Sequence, residues 1–204
     1  MDSTRYGPGT ALLVVDVQND FADPRGSLYV PGGQEIVEPI NEQIRAAETA
    51  GVAVFYTQDW HPPSTPHFQK DGGIWPVHCV QGTWGAEFHP DLLVLAGAPI
   101  VRKGSGGEDG YSAFSVRDPL SGDVQRTQLG ELLGERGVER VVIAGLATDY
   151  CVKETGLDAV RLGLHPIVLT DAVRAVDLQP GDGERALETL QAAGAQLAAG
   201  EPLG

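Results

Sequence analysis

Arg140-Val-Val-Ile-Ala144-Gly-Leu-Ala-Thr-Asp149-Tyr-Cys151 opens with an apolar run of strand length. It then passes through Gly145 into a stretch with helical spacing over 149–162. A second apolar run follows over 165–170. Two strands joined by a helical crossover lie parallel in one sheet. Working outward, Ala11-Leu-Leu-Val-Val-Asp16-Val reads as a buried strand that ends in a carboxylate. Ile36, Val37, Ile40, Ile44 and Ala47 space a helix over 36–50, which Gly51 stops. Val52-Ala-Val-Phe-Tyr-Thr57 is a second strand running into Asp59 and His61, and 99–102 is a third running into Lys103. Helices over 129–136 and 184–193 and a short strand near 195–197 complete the pattern. The alternation specifies an α/β fold: a single-domain three-layer sandwich, with a mostly parallel central sheet flanked by helices on both faces.

The chain has 204 residues, 42% hydrophobic and 21% charged, which fits one domain over 1–204 with a core at about 11–197. Fourteen Lys plus Arg stand against 28 Asp plus Glu, a net charge of −14. A chain this acidic, without a basic run, is repelled by phosphate backbones and anionic membranes, so neither nucleic acid nor membrane is an expected partner. The first ten residues lack the pattern of a signal peptide, and the apolar stretch 11–15 is too short to span a bilayer. Two distant cysteines, Cys79 and Cys151, form no disulfide framework, so a cytoplasmic location and a free thiol are expected.

In parallel sheets ligands bind beyond the carboxyl ends of the strands. Asp16, Asp59, Lys103 and the residues before Cys151 all fall there. Cys151 begins a helix, whose unpaired amides and partial positive charge favour a thiolate and can hold an oxyanion. Position alone fits a small packing residue equally well. Asp16, on an apolar strand, is partly desolvated and suited to take a proton, though an Asp there also caps loops. Lys103 could stabilise such a pair; alone it reads as a solvated lysine.

Residues 60–99 are rich in Pro, Gly, His and Trp and read as a long irregular excursion, a kind of segment that is usually functional. Asp59-Trp-His61 sets two metal-ligand types at i and i+2, with His67 and His78 following. His89, before Pro90, reads as a turn residue and His165 as structural. Gly104-Ser-Gly-Gly-Glu-Asp-Gly110 carries two acidic residues and reads as a flexible loop, not a phosphate cradle.

Val15-Asp16-Val-Gln-Asn-Asp20-Phe21, Asp59-Trp-His61, Trp75-Pro-Val-His78-Cys-Val-Gln-Gly82-Thr, Lys103-Gly, Tyr111-Ser-Ala-Phe114 and Gly145-Leu-Ala-Thr-Asp-Tyr-Cys151-Val stand together in this order. The set resembles the isochorismatase-like cysteine hydrolases over about 11–197 and, within them, the nicotinamidases or pyrazinamidases. The resemblance implies a metal-dependent amidase that hydrolyses nicotinamide to nicotinate through a cysteine thioester. By it, Asp16, Lys103 and Cys151 form the triad, and the amides of Ala147 and Cys151 form the oxyanion hole after a cis Leu146–Ala147 peptide. Asp59, His61 and His78 would bind one divalent transition metal, zinc first, with iron or manganese as alternatives. His67 matches a fourth ligand found only in some members. Phe21 and Trp75, with Tyr111, would hold the ring of a small-molecule amide, and Cys79 matches no catalytic role. Assembly into a homo-oligomer stays open. A related hydrolase of another small amide, carbamoyl compound or ureide is the competing reading, and the metal-ligand set speaks against it. A non-catalytic binding module is a third, and the intact Asp–Lys–Cys set speaks against that.

Overall fold

Three strands run outward from the middle of the sheet in one direction, and three in the other. β1 (Thr10–Val15), β2 (Ala53–Asp59) and β3 (Ile100–Lys103) form one half. The second half is β6 (Arg140–Leu146), β7 (His165–Arg174) and β8 (Gln196–Ala198), and a separate antiparallel hairpin, β4 (Ser115–Arg117) with β5 (Val124–Arg126), lies between the halves in sequence. The order is β3-β2-β1-β6-β7-β8, and every pairing within it is parallel. The structure is a computed structural model that describes residues 6–199; residues 1–5 and 200–204 of the domain expected over 1–204 lie outside the described residues. Among the described residues, no helix is long and apolar enough to cross a membrane.

The central position of β1 explains its composition. All six of its residues are buried, because a strand inside a parallel sheet is covered on both faces. Leu12 and Val14 face one side, where α2 (Val37–Thr49) packs with Ile40, Ile44 and Ala47. Ala11, Leu13 and Val15 face the other, with Leu129 and Leu133 of α3 (Leu129–Gly134), Ala159 of α4 (Lys153–Arg161) and Leu190 of α5 (Asp182–Ala193). Both faces are therefore covered by helices, as the alternation implies. α2 turns Glu38, Glu42, Arg45 and Glu48 to solvent and ends just before Gly51, whose φ is +68°.

Three details depart from the sequence reading. The helix expected from 149 begins as a π-helical turn, Thr148–Val152, and becomes α-helical only from Lys153. The hairpin β4–β5 was not expected at all; its strands are largely exposed and carry no apolar alternation. The short helix α1 (Asn19–Ala22) likewise follows β1 without a periodic signal.

The chain reverses its direction of winding between β1 and β6, and the two strands approach closely there. Gly145 has φ +123°, and a Cβ on it would lie 2.0 Å from the Val15 carbonyl oxygen. Gly145→Ala is therefore expected to destabilise the protein by ~3 kcal/mol or more, since two central strands must shift. Urea denaturation of the purified variant checks this. A loss below ~1 kcal/mol would mean that the strands part there at little cost.

Candidate active site

The crevice at the switch point collects the carboxyl ends of β1, β2, β3 and β6. Lys103, the last residue of β3, is fully buried. Its Nζ donates to Asp16 Oδ2 at 2.6 Å, to Asp59 Oδ1 at 2.8 Å and to the Gly110 carbonyl oxygen. Cys151 Sγ lies 3.6 Å from the same nitrogen. An ammonium has three protons, and four acceptors surround this one. The sulfur, at the longest distance, is the acceptor that gains most when it becomes charged. A lysine that reads as solvated in sequence is here the hub of the site, because two carboxylates desolvated together require a cation between them.

Asp16 follows β1 with φ +50° and is fully buried. Its Oδ1 accepts from Thr57 Oγ1 at 2.5 Å, and its amide donates to that same hydroxyl oxygen at 3.2 Å. Burial pushes its carboxyl up; Lys103 opposes this without reversing it. Burial also pushes the Cys151 thiol well up, more than Lys103 lowers it. Burial thus acts against the thiolate that the helix start favours. The cysteine sits in the buried π-turn, where desolvation favours the thiol and Lys103 the thiolate. Asp16 is within reach of the thiol: the ligand atoms of Asp16, Asp59 and Cys151 lie within 4.8 Å of one another.

A second cluster adjoins the first through Asp59, which burial alone would raise. Lys103, with contacts from His61 and His78, holds its carboxyl well below the usual range. Asp59 Oδ2 lies 3.6 Å from His61 Nε2 and 3.7 Å from His78 Nε2, too far for hydrogen bonds. Ring nitrogens of His61, His67 and His78 gather within 4.8 Å of one another. His78 Nδ1 donates to the Pro76 carbonyl at 2.8 Å, which leaves Nε2 with its lone pair facing the cluster. Both ring nitrogens of His61 are buried and have no hydrogen-bond partner. An orphaned imidazole beside a carboxylate and two more imidazoles is the donor set of a divalent transition metal, and a cation there would satisfy it. The residues fit such an ion.

Backbone ties hold these ligands in place. Gln18 Nε2 donates to the Asp59 and Ala86 carbonyls at 2.7 and 2.9 Å, while its Oε1 accepts from the Asp59 amide at 2.8 Å. Asp20 accepts from the amides of Cys79 at 2.7 Å and Ser27 at 3.0 Å. His61 and Val80 form a bridge that clamps the start of the irregular segment to its middle, beside His78.

Phe21, Trp75, Tyr111 and Tyr150 wall a recess that reaches Cys151, Ala147, Asp59, His67 and His78. Trp75 Nε1 donates to the Tyr111 hydroxyl at 2.8 Å, and Tyr150 meets the Trp75 ring edge-on at 4.8 Å. The Leu146–Ala147 peptide is cis. Every residue that the sequence reading placed in the site is thus in or beside one crevice, His67 included. Cys79 is outside the recess, its thiol pushed well up by burial. His89 serves a turn, its carbonyl oxygen accepting from the Leu92 amide at 2.9 Å. Thr57, Tyr150 and Asp109 went unnoticed as site residues, and Gln18 and Asp20 were quoted without a role. Nearness in sequence is the available signal: Gln18 and Asp20 lie close to Asp16, Thr57 close to Asp59 and Tyr150 next to Cys151, whereas Asp109 has none.

A family model described as the Isochorismatase domain matches residues 10–201. The chain belongs to the isochorismatase family. It is 40% identical over 206 residues to the nicotinamidase of Escherichia coli (strain K12), with 93% of this chain and 94% of that protein covered. Among solved structures it is similar to the pyrazinamidase of Pyrococcus horikoshii in complex with zinc, with a TM-score of 0.84 and 40% identity. That match covers 94% of this chain and 99% of the other. PnC1 from L. infantum in complex with nicotinate gives a TM-score of 0.90 at 33% identity, covering 100% of this chain and 99% of its own.

Proposed function

We propose that the chain is a metal-dependent amidase that hydrolyses nicotinamide to nicotinate and ammonia, and pyrazinamide likewise, through a thioester on Cys151. One observation carries this reading: Cys151, Asp59, His67 and His78 line a single aromatic recess, with Lys103 and Asp16 directly behind Cys151 and Asp59, and His61 beside the other histidines. Among the described residues that line the recess there is no Lys or Arg. A neutral aromatic amide suits such walls better than an anionic aliphatic one, which would need a cation.

Asp16 accepts the proton of the Cys151 thiol, and Lys103 holds the resulting charge on sulfur. The thiolate attacks the carboxamide carbon, and the oxygen's negative charge rests on the amides of Ala147 and Cys151. Asp16 returns the proton to the departing nitrogen, and ammonia leaves a thioester. Water then yields a proton to Asp16 and attacks the same carbon; the acid departs and the Cys151 thiol is restored. Asp59, His61 and His78, with His67 as a fourth ligand, would hold a zinc ion. When bound, that ion offers a coordination position to the nitrogen of a pyridine or pyrazine ring. Phe21, Trp75 and Tyr111 hold the ring faces and exclude water.

The whole chain, 1–204, acts as one domain on this reading. Both cysteines are free thiols, which suits the reducing cytoplasm. The test is ammonia and nicotinate release from nicotinamide by the zinc-loaded protein. Turnover of maleamate or a carbamoyl compound without turnover of nicotinamide or pyrazinamide would overturn the assignment. Within the mechanism, Asp16→Asn is expected to lower kcat about 100-fold or more, since the proton acceptor is lost. Lys103→Met is expected to be at least as harmful, because it also leaves two buried carboxylates without their cation. Near-normal kcat in Asp16→Asn would remove Asp16 from the proton-transfer role.

A further inference from the structure

The loop between Lys103 and Tyr111 holds a carboxylate that the mechanism does not use. Asp109 Oδ1 lies 2.6 Å from His67 Nδ1; the histidine side chain is 4% exposed and the aspartate side chain 23%. An ionised carboxylate only accepts hydrogen bonds, so at this distance Nδ1 carries the proton. The lone pair of His67 is then on Nε2. We propose that Asp109 is a positioning residue for the metal centre: it fixes the ring orientation and tautomer of His67 and so makes it a working fourth ligand. The proposal rests on the metal-bound reading given above.

The surroundings of Asp109 suit that role. Its backbone pairs in both directions with Arg117, at 2.7 and 3.0 Å, so the hairpin β4–β5 anchors it. The His67 segment is tied to the same loop. Thr65 Oγ1 donates to the Gly107 carbonyl at 2.7 Å and accepts from the His67 amide at 3.3 Å. Glu108 turns away and binds the Gly106 amide at 2.9 Å, leaving Asp109 as the acid that faces the histidine. The loop is thus tied at several points between Lys103 and the histidines. Carboxylate–histidine–metal arrangements of this kind raise ligand basicity and hold the ring, and their loss costs 10–100-fold in metal affinity or activity. His78 receives the same service from the Pro76 carbonyl, a neutral acceptor. Asp109 is the charged counterpart.

The test measures zinc affinity by competition with a chelator, in wild type, Asp109→Ala, Asp109→Asn, His67→Ala and the His67→Ala/Asp109→Ala double variant. Asp109→Ala is expected to weaken zinc binding about 10–100-fold, and Asp109→Asn, which keeps an acceptor, by less. The double variant should bind zinc no worse than His67→Ala, because Asp109 acts through that ring. Visible absorption of the cobalt-loaded protein should change in Asp109→Ala, whereas the melting temperature of the metal-free protein should not. Wild-type affinity in Asp109→Ala, or additive losses in the double variant, would overturn the proposal. Should Asp109→Ala fail to fold, unchanged zinc affinity in Asp109→Asn would overturn it, and a partial loss would support it. A wild-type protein that binds zinc yet releases no ammonia from nicotinamide contradicts the proposed activity and leaves this inference standing. A wild-type protein that takes up no zinc contradicts both.

Discussion

Cys151→Ala is expected to reduce nicotinamide turnover by about 10⁴-fold or more while leaving the protein folded. The removed sulfur is the atom that bonds to the substrate, and no other group in the recess can replace it. Alanine suits the helical turn that leads into α4 and leaves only a small void beside Lys103, a stability cost of ~1–2 kcal/mol. The variant should therefore still bind nicotinate and zinc. Cys79→Ala is the matched control. That thiol is fully buried, lies outside the recess and faces the Gly85 carbonyl at 3.9 Å, so most activity should survive. Kinetics and thermal melting of the two variants together check this. Were Cys79→Ala inactive and Cys151→Ala active, the nucleophile would be misassigned.

The second large effect concerns the ring nitrogen. Benzamide has the shape and reacting group of nicotinamide but nothing to offer a metal held by Asp59, His61 and His78. It is expected to react about 100-fold more slowly or worse, because a ring that is not anchored sets its carboxamide carbon poorly over Cys151. Nicotinamide with chelator-stripped protein should fall by a similar factor and recover on addition of zinc. Pyrazinamide keeps a ring nitrogen at the matching position and should be hydrolysed. Equal rates for benzamide and nicotinamide, or full activity in protein shown by metal analysis to be empty, would contradict the anchoring role.

Much of this architecture is legible in the sequence because a parallel sheet leaves a strong trace there. β1 and β6 are continuous apolar runs, and each ends where a functional residue must stand, so Asp16 and the approach to Cys151 announce themselves. The 3.6-residue spacing of α2 is equally plain. What stays hidden is what depends on contacts distant in sequence. Lys103 resembles a surface residue until Asp16 and Asp59 are known to converge on it. Asp109 meets His67 across 42 positions, and no spacing rule connects them. The burial that raises the Cys151 thiol is likewise a property of the packed structure and leaves no mark on the local sequence. The hairpin β4–β5 has polar, exposed strands, so the hydrophobic pattern has nothing to register.

Rapid acid quench of the zinc-loaded protein during turnover of nicotinamide, followed by intact-mass and peptide mass analysis, reaches the covalent intermediate itself. The expected result is a nicotinoyl group on the peptide that contains Cys151, absent from Cys151→Ala and lost on a timescale that matches turnover. A burst of nicotinate with no adduct on the protein, or an adduct on the Cys79 peptide instead, would contradict a thioester at Cys151.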